Sequence, residues 1–265
     1  MTQPLPAVDP ELEAALTRVA AVERLLVALD FDGTLAPEVD DPERARALPA
    51  AAAALARLRA LPGTTVALVS GRSLDSLARV AEVDESVPLV GSHGLERRLA
   101  AGEHPATLAP DEAARLAALR ARVATLVDAV PGAWIEDKPA GFAVHVRLVD
   151  GERASRLEGD VRALLAAQPG LTVRAGKNVV ELALRDATKG DGLRALRVRF
   201  AADAVVFAGD DQTDEDALAV LEPGDVGIKV GAAPTVAAHR VADPAALTVA
   251  LSLLTSARES PGSAG

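Results

Sequence analysis

Short, uninterrupted apolar runs alternate with longer segments of mixed polarity over the first hundred residues. Residues 25–30 are apolar up to Asp30, and 64–69 are apolar after two threonines, as expected of strands covered on both faces. Between and around them, residues 10–23, 49–61 and 73–81 space Leu, Val and Ala as helices do, and 88–91 reads as a short third strand. Strand and helix alternating in this way predict a parallel sheet with helices on both faces.

The middle of the chain has a different rhythm. A helix is predicted over 110–128, strands over 133–137 and 141–148 joined at Pro139-Ala140-Gly141, a helix over 152–167, and strands over 171–175 and 178–184 joined at Gly176. The unit helix-strand-strand thus occurs twice, which predicts a small inserted domain with an antiparallel sheet at 104–185. The insert divides a core made of 1–103 and 186–265. The α/β alternation then resumes, with helices at 189–200, 213–221 and 244–256 and strands at 204–208 and 226–230; the tail Ser-Pro-Gly-Ser-Ala-Gly reads as disordered. The expected fold class is α/β, a Rossmann-like parallel-sheet core with an inserted α+β domain.

Composition narrows the chemistry. Aromatic residues are 2% of the 265, so Ala, Leu and Val must build the core. Cysteine is absent, which excludes disulfides and thiolate metal sites and leaves oxygen ligands for any hard cation. The net charge of −10 argues against nucleic-acid binding, and any phosphate pocket then needs local cations or a metal. The first residues show no basic segment followed by an apolar run, and no apolar stretch approaches the ~20 residues of a membrane span. The expectation is a soluble cytoplasmic protein that binds neither nucleic acid nor membrane.

Ligands of open parallel sheets bind beyond the carboxyl ends of the strands. Polar clusters stand at three such ends: Asp30-Phe31-Asp32-Gly33-Thr34-Leu35, Ser70-Gly71-Arg72, and Gly209-Asp210-Asp211-Gln212-Thr213-Asp214; Lys189 opens the helix where the chain returns to the core. Alone, each has a local explanation. Asp-x-Asp-Gly makes turns, Ser-Gly makes turns, acids with Thr213 start helices, and a lysine is usually a solvated surface group. Their joint placement in this order points to phosphoryl chemistry. A carboxylate can attack phosphorus once a cation offsets the repulsion between the two anions. A second carboxyl two residues on can serve the leaving oxygen and then the attacking water.

These segments resemble all four motifs of the haloacid dehalogenase superfamily. The resemblance implies Asp30 as nucleophile and Asp32 as general acid/base, with Thr34 shaping the loop and Ser70 and Lys189 on the phosphoryl group. It implies Mg2+ held by Asp30, the Asp32 carbonyl and Asp210, with Asp211 or Asp214 in support. A longer set is similar to the trehalose-6-phosphate phosphatase family: Leu29 to Leu35, Leu68 to Arg72, Gly91 to Glu96, Lys138-Pro139, Phe142 to Arg147, Gly176-Lys177 through Glu181, Lys189-Gly190 and Gly209 to Asp216. That family carries a cap between its second and third motifs, where the insert is expected here. Some relatives place an asparagine two residues before the glutamate matched by Glu181; this chain has Val179 there and Asn178 one earlier. The implied reaction is hydrolysis of a sugar phosphate, trehalose 6-phosphate, with a functional link to a trehalose-6-phosphate synthase. The rival readings are a phosphatase for sucrose or mannosyl-glycerate phosphates, a non-catalytic sugar-phosphate sensor and a mutase.

A disaccharide offers many hydroxyls and no charge. In the insert, Glu136 and Glu181 suit hydroxyl donors, while Lys138, Arg147 and Lys177 suit acceptors; the alternative is surface ion pairing at strand ends. In the core, Gly71, Arg72 and His93 complete the expected substrate contacts. His145, in an alternating strand, reads as structural with a satisfied nitrogen, and Trp134 and Phe142 as packing.

Overall fold

The computed structural model describes residues 8–103, 108–138, 140–176, 178–184 and 187–260. The expected disordered tail therefore lies almost wholly outside the described residues. The chain forms two compact units, Met1–Pro105 with Thr188–Gly265, and Ala106–Ala187.

The first unit begins with α1 (Pro10–Ala20), β1 (Leu25–Leu29), α2 (Pro49–Ala60), β2 (Thr64–Val69), α3 (Leu74–Ala81), β3 (Leu89–Gly91) and β4 (Glu96–Arg98). The second unit follows with α4 (Pro110–Val127), β5 (Trp134–Lys138), β6 (Gly141–His145), α5 (Gly151–Ala166), β7 (Thr172–Gly176) and β8 (Val179–Ala183). The chain returns to the first unit through α6 (Lys189–Phe200), β9 (Ala204–Gly209), α7 (Asp214–Leu218), β10 (Val226–Val230), β11 (His239–Val241) and α8 (Pro244–Glu259).

The first unit's sheet runs β11-β10-β9-β1-β2-β3-β4. Its pairs are parallel except the last, where β4 runs against β3. Alternation along β1 explains the two-sided cover. Leu25, Val27 and Leu29 join the cluster made with α1, α2, α3 and α8, while Leu26 and Ala28 join the cluster made with α6 and α7. A strand apolar on both faces cannot sit at an edge without exposing one, and β1 is the centre of the sheet. Its neighbours β2 and β9 lead to opposite sides, so the strand order reverses about β1, and the crevice beyond its carboxyl end is where such sheets hold ligands.

The second unit is a four-stranded antiparallel sheet, β5-β6-β8-β7, backed on one face by α4 and α5. Phe142, Val144, Val180 and Leu182 point into that core, so the register Glu136↔Ala143↔Glu181 leaves polar side chains on the other face.

Three expectations need correction. The helix expected at 213–221 is the shorter α7, and Thr213 has helical backbone angles and no capping bond of its own. Strand β6 stops at His145, so Arg147 lies beyond it and is exposed. Two strands were not anticipated, β4 and β11, both short and polar at the sheet edges.

Candidate active site

Asp30 follows β1 directly, and its backbone N–H bonds to the Ala208 carbonyl of β9. This holds the ends of the two strands together. Lys189, first residue of α6, lies between them: its Nζ is 2.8 Å from Oδ1 of Asp30 and 2.8 Å from Oδ1 of Asp214. All three are buried. Thr188 and Asp191 form a reciprocal cap that fixes the first turn of α6 and so the start of the lysine side chain.

The turn after β9 is shaped by Asp214. Its Oδ2 accepts the backbone N–H groups of Asp210 and Asp211 at 3.0 and 2.9 Å. A methyl group at Gly209 would fall 2.2 Å from the Asp214 carboxyl carbon, so only glycine admits this inward turn. Asp211 points the other way. Its carboxylate accepts from Thr213 Oγ1 and the Asp214 N–H, which makes it the acceptor at the start of α7. It stays half exposed, 3.7 Å from Lys189. Of the acids expected around a cation, the structure gathers the carboxylates of Asp30 and Asp210 and, of the two supporting candidates, Asp214: one carboxylate oxygen from each lies within 4.8 Å of the others.

Thr34, fully buried, donates to Asp210 Oδ1 at 3.1 Å and so ties the loop after β1 to the loop after β9. Gly33 permits the approach. Its φ is +74°, and a methyl group there would fall 2.3–2.7 Å from the Asp210 carboxylate.

One ammonium faces several carboxylates, and the protonation equilibria reflect it. Burial pushes Asp30 up to about 6 despite Lys189, with Asp210 and Asp211 adding repulsion. Burial raises Asp210 to about 6, helped by Asp214. Burial and the Asp30 charge raise Asp214 to about 8. For Lys189 burial acts downward, but Asp30, Asp214 and Asp211 outweigh it and hold the ammonium charged. Asp211 is also opposed by burial, yet Lys189 and its hydrogen bonds lower it to about 2. The two directions are consistent, because a single cation cannot compensate two buried acids and a half-buried one at once. The cluster has oxygen donors alone and excess negative charge, which fits a hard divalent cation.

The remaining core candidates form a second group. The Ser70 hydroxyl accepts the Arg72 N–H at 3.1 Å. Ser70 O receives the His93 N–H at 3.1 Å, and Arg72 O receives the Ser92 N–H at 2.7 Å, lacing the loop after β2 to the loop after β3. The His93 ring covers Gly71 so closely that a methyl group there would lie 2.5 Å from Cε1. Ser92 and His93 both have positive φ, 48° and 55°. Two adjacent non-glycine residues in the left-handed region are strained, and such strain gathers at working sites. Buried Ser92 bonds to Glu96 at 2.6 Å. Both residues lie in the segment Gly91 to Glu96 that carries the resemblance, but the sequence assigned neither a role. Asp32 is gripped by Arg72, with Nε to Oδ2 at 2.5 Å and Nη2 to Oδ1 at 2.7 Å.

In the second unit the candidates are paired among themselves. Lys138 Nζ lies 3.0 Å from Glu181 Oε1, both largely covered. His145 Nε2 lies 2.7 Å from Glu136 Oε2, and this hydrogen bond lowers the Glu136 carboxyl. The His145 ring stacks on Trp134 with centroids 4.7 Å apart, and the Arg147 guanidinium sits 5.0 Å from the Trp134 ring centre. Lys177 lies outside the described residues.

The trehalose-phosphatase family model matches residues 28–249. A bifunctional trehalose-6-phosphate synthase/phosphatase from Thermoproteus tenax is 35% identical over 231 residues, 84% of this chain; the chain spans only 31% of that relative's length. A trehalose-6-phosphate phosphatase from Escherichia coli is 31% identical over 245 residues, covering 91% of this chain and 87% of the relative. The structure of the C-terminal domain of a trehalose-6-phosphate phosphatase from C. albicans superposes with a TM-score of 0.75 over 96% of this chain and 99% of that one, at 21% identity, which speaks to fold. The matched span begins inside β1 and ends in α8, so it takes in the Asp30, Ser70, Lys189 and Asp210 segments and the whole second unit, and the chain belongs to the trehalose-phosphatase family.

Proposed function

We propose that the protein hydrolyses trehalose 6-phosphate to trehalose and phosphate through an aspartyl-phosphate on Asp30. The observation that carries the reading is the buried Asp30 carboxylate at the end of the central strand, fixed by Lys189 and faced by Asp210 and Asp214. Asp30 and Asp214 share the buried Lys189 ammonium, and of the two only Asp30 directly ends the central strand, with Asp32 two residues on in the same loop. The E. coli relative, matched over most of both chains, supports trehalose 6-phosphate over other sugar phosphates.

Asp30 Oδ2 attacks phosphorus while Oδ1 stays on Lys189. The Ser70 hydroxyl and the Lys189 ammonium hold phosphoryl oxygens. Asp32 gives its proton to the departing sugar oxygen, then takes one from the water that opens the aspartyl-phosphate. A magnesium ion held by Asp30, Asp210 and the Asp32 carbonyl, with Asp214 or Asp211 behind them, would supply the charge that lets two anions meet. Gly71 and His93 in the first unit and Glu136, Lys138, Arg147, Lys177 and Glu181 in the second are the proposed sugar contacts. The second unit is accordingly the cap that reads the substrate, and the T. tenax relative supports a functional link with the synthase that makes it.

The test is phosphate release from trehalose 6-phosphate, sucrose 6-phosphate and an aryl phosphate, each with magnesium and with a chelator. Trehalose 6-phosphate should be preferred, and the chelator should abolish turnover of all three. Asp30→Asn should lower kcat by roughly 10³-fold or more, as loss of a nucleophile does. Turnover by that variant within about tenfold of the parent, about 1.4 kcal/mol in the barrier, would remove Asp30 from its role.

A further inference from the structure

The Arg72 guanidinium is occupied on both sides. Toward the loop after β1 it makes a two-point contact with Asp32. On its far side Nη1 donates to Ser76 Oγ at 3.2 Å and Nη2 to the Pro42 carbonyl at 2.8 Å. Four of the five N–H donors of an arginine are therefore engaged within the first unit. The side chain is 12% exposed, whereas that of Asp32 is 42% exposed. An arginine with one donor to spare and little access to solvent is poorly suited to grip a sugar phosphate. A guanidinium anchored at two points and presenting a flat fork to a more open carboxylate is suited to orient that carboxylate. Asp32 itself sits in a tight loop, closed by Gly33 N–H to Ala36 O and by an isolated bridge between Asp32 and Ala36, so its backbone is fixed and only its side-chain torsions remain to be set.

We propose that Arg72 is the positioning residue of Asp32, not a substrate contact: anchored on Ser76 and Pro42, it fixes the direction in which the Asp32 carboxyl meets the leaving oxygen and the attacking water. The proposal rests on the phosphatase reading above. A mispointed Asp32 harms a sugar phosphate most, because an alkoxide leaves badly without a proton. It harms phosphoryl transfer from p-nitrophenyl phosphate little, since that phenolate leaves unaided. It slows hydrolysis of the phosphoenzyme whichever substrate formed it.

The experiment compares the parent with Arg72→Ala and Arg72→Lys, after thermal melts confirm folding, on trehalose 6-phosphate and p-nitrophenyl phosphate with magnesium. For Arg72→Ala we expect kcat/KM on the sugar phosphate to fall by about 100-fold or more, the scale of lost acid–base catalysis. On p-nitrophenyl phosphate kcat/KM should fall less than about threefold, while kcat drops and a pre-steady-state burst of nitrophenolate appears as phosphoenzyme accumulates. Added guanidinium should restore part of the lost activity, and Arg72→Lys, which cannot make the two-point contact, should behave more like the alanine variant than the parent. Equal losses in kcat/KM on both substrates, or a rise in KM alone without a burst, would show a substrate or scaffold role and overturn the proposal while leaving the phosphatase reading intact. A parent protein that releases phosphate from neither substrate would overturn both.

Discussion

At the level of single residues, the site is organised by shortage of positive charge. Lys189 serves Asp30 and Asp214 at equal distance, and no second lysine or arginine among the described residues bonds to Asp30, Asp210 or Asp214. The pH dependence of the cation-free protein follows. In the unfolded chain these carboxyls lose their protons near pH 4. In the folded protein Asp30 and Asp210 keep theirs to about 6 and Asp214 to about 8. Between those values the folded state binds more protons, so stability falls as pH rises from 4 to 8. Asp211, lowered to about 2, acts in the opposite sense: its contribution is complete above pH 4 and lost as pH falls through 2. Urea unfolding with chelator present should give a lower midpoint at pH 8 than at pH 5, and magnesium should restore it at pH 8. An unchanged or higher midpoint at pH 8 would mean that pairing with Lys189 outweighs burial. Asp30 and Asp210 were legible in the sequence because each stands at the end of an apolar run, and Asp214 because it closes the acidic segment that follows. Their division of labour was not. Asp211 and Asp214 are separated by one turn of chain, and only the backbone decides that Asp214 enters the cluster while Asp211 starts a helix. The Arg72–Asp32 contact was hidden for a related reason: forty positions separate the partners, and each by itself reads as substrate-facing.

Among the secondary-structure elements, the long buried strands announced themselves and the short edge strands did not. Strand β1 is five apolar residues in a row; β4 is Glu-Arg-Arg and β11 is His-Arg-Val, whose pairing is set by the neighbour and not by their own pattern. Strand β10 hides a residue of the same kind. Lys229 is 1% exposed in the middle of Ile-Lys-Val, and its Nζ donates to the Asp211 carbonyl and to Glu215 Oε1, both at 2.9 Å. Glu215 in turn accepts from Thr235 Oγ1 and the Val236 N–H. One buried lysine thus braces β10, the acidic turn and the start of α7. Lys229→Met keeps the apolar stem and removes the charge, leaving Glu215 without its cation. Breaking a buried pair from one side costs roughly 3–5 kcal/mol. For a domain of this size that lowers Tm by about 6–20 °C, readable in a thermal melt; a shift under about 2 °C would show that the brace carries little. In the second unit, the strand register puts Glu136 and His145 on one face, and the satisfied nitrogen expected of His145 is supplied by that glutamate.

For the whole molecule, the consequence worth drawing lies in where the chain leaves and re-enters the sheet-based unit. Lys189 meets Asp30 across 159 positions of sequence, with the entire second unit in between. Yet the returning chain is seated against the sheet-based unit: Gly94, just before β4, lies so close to Thr188 that a methyl group on it would sit 2.2 Å from the Thr188 carbonyl oxygen. To the sheet, residues 106–187 are an excursion after which the chain is seated again at Thr188, against the loop before β4. The entropy of closing such an excursion grows only logarithmically, by about 0.6 kcal/mol for each doubling of length. A lineage can then lengthen, shorten or exchange the excursion at little cost to the catalytic sheet, and an experimenter can do the same. Replacing 106–187 by a short Gly-Ser linker should leave a protein that melts cooperatively and still releases phosphate from an aryl phosphate with magnesium, while its preference for trehalose 6-phosphate disappears. A linker variant that no longer folds would show that the sheet-based unit depends on the excursion, and one that keeps the sugar preference would show that residues 106–187 do not read the sugar.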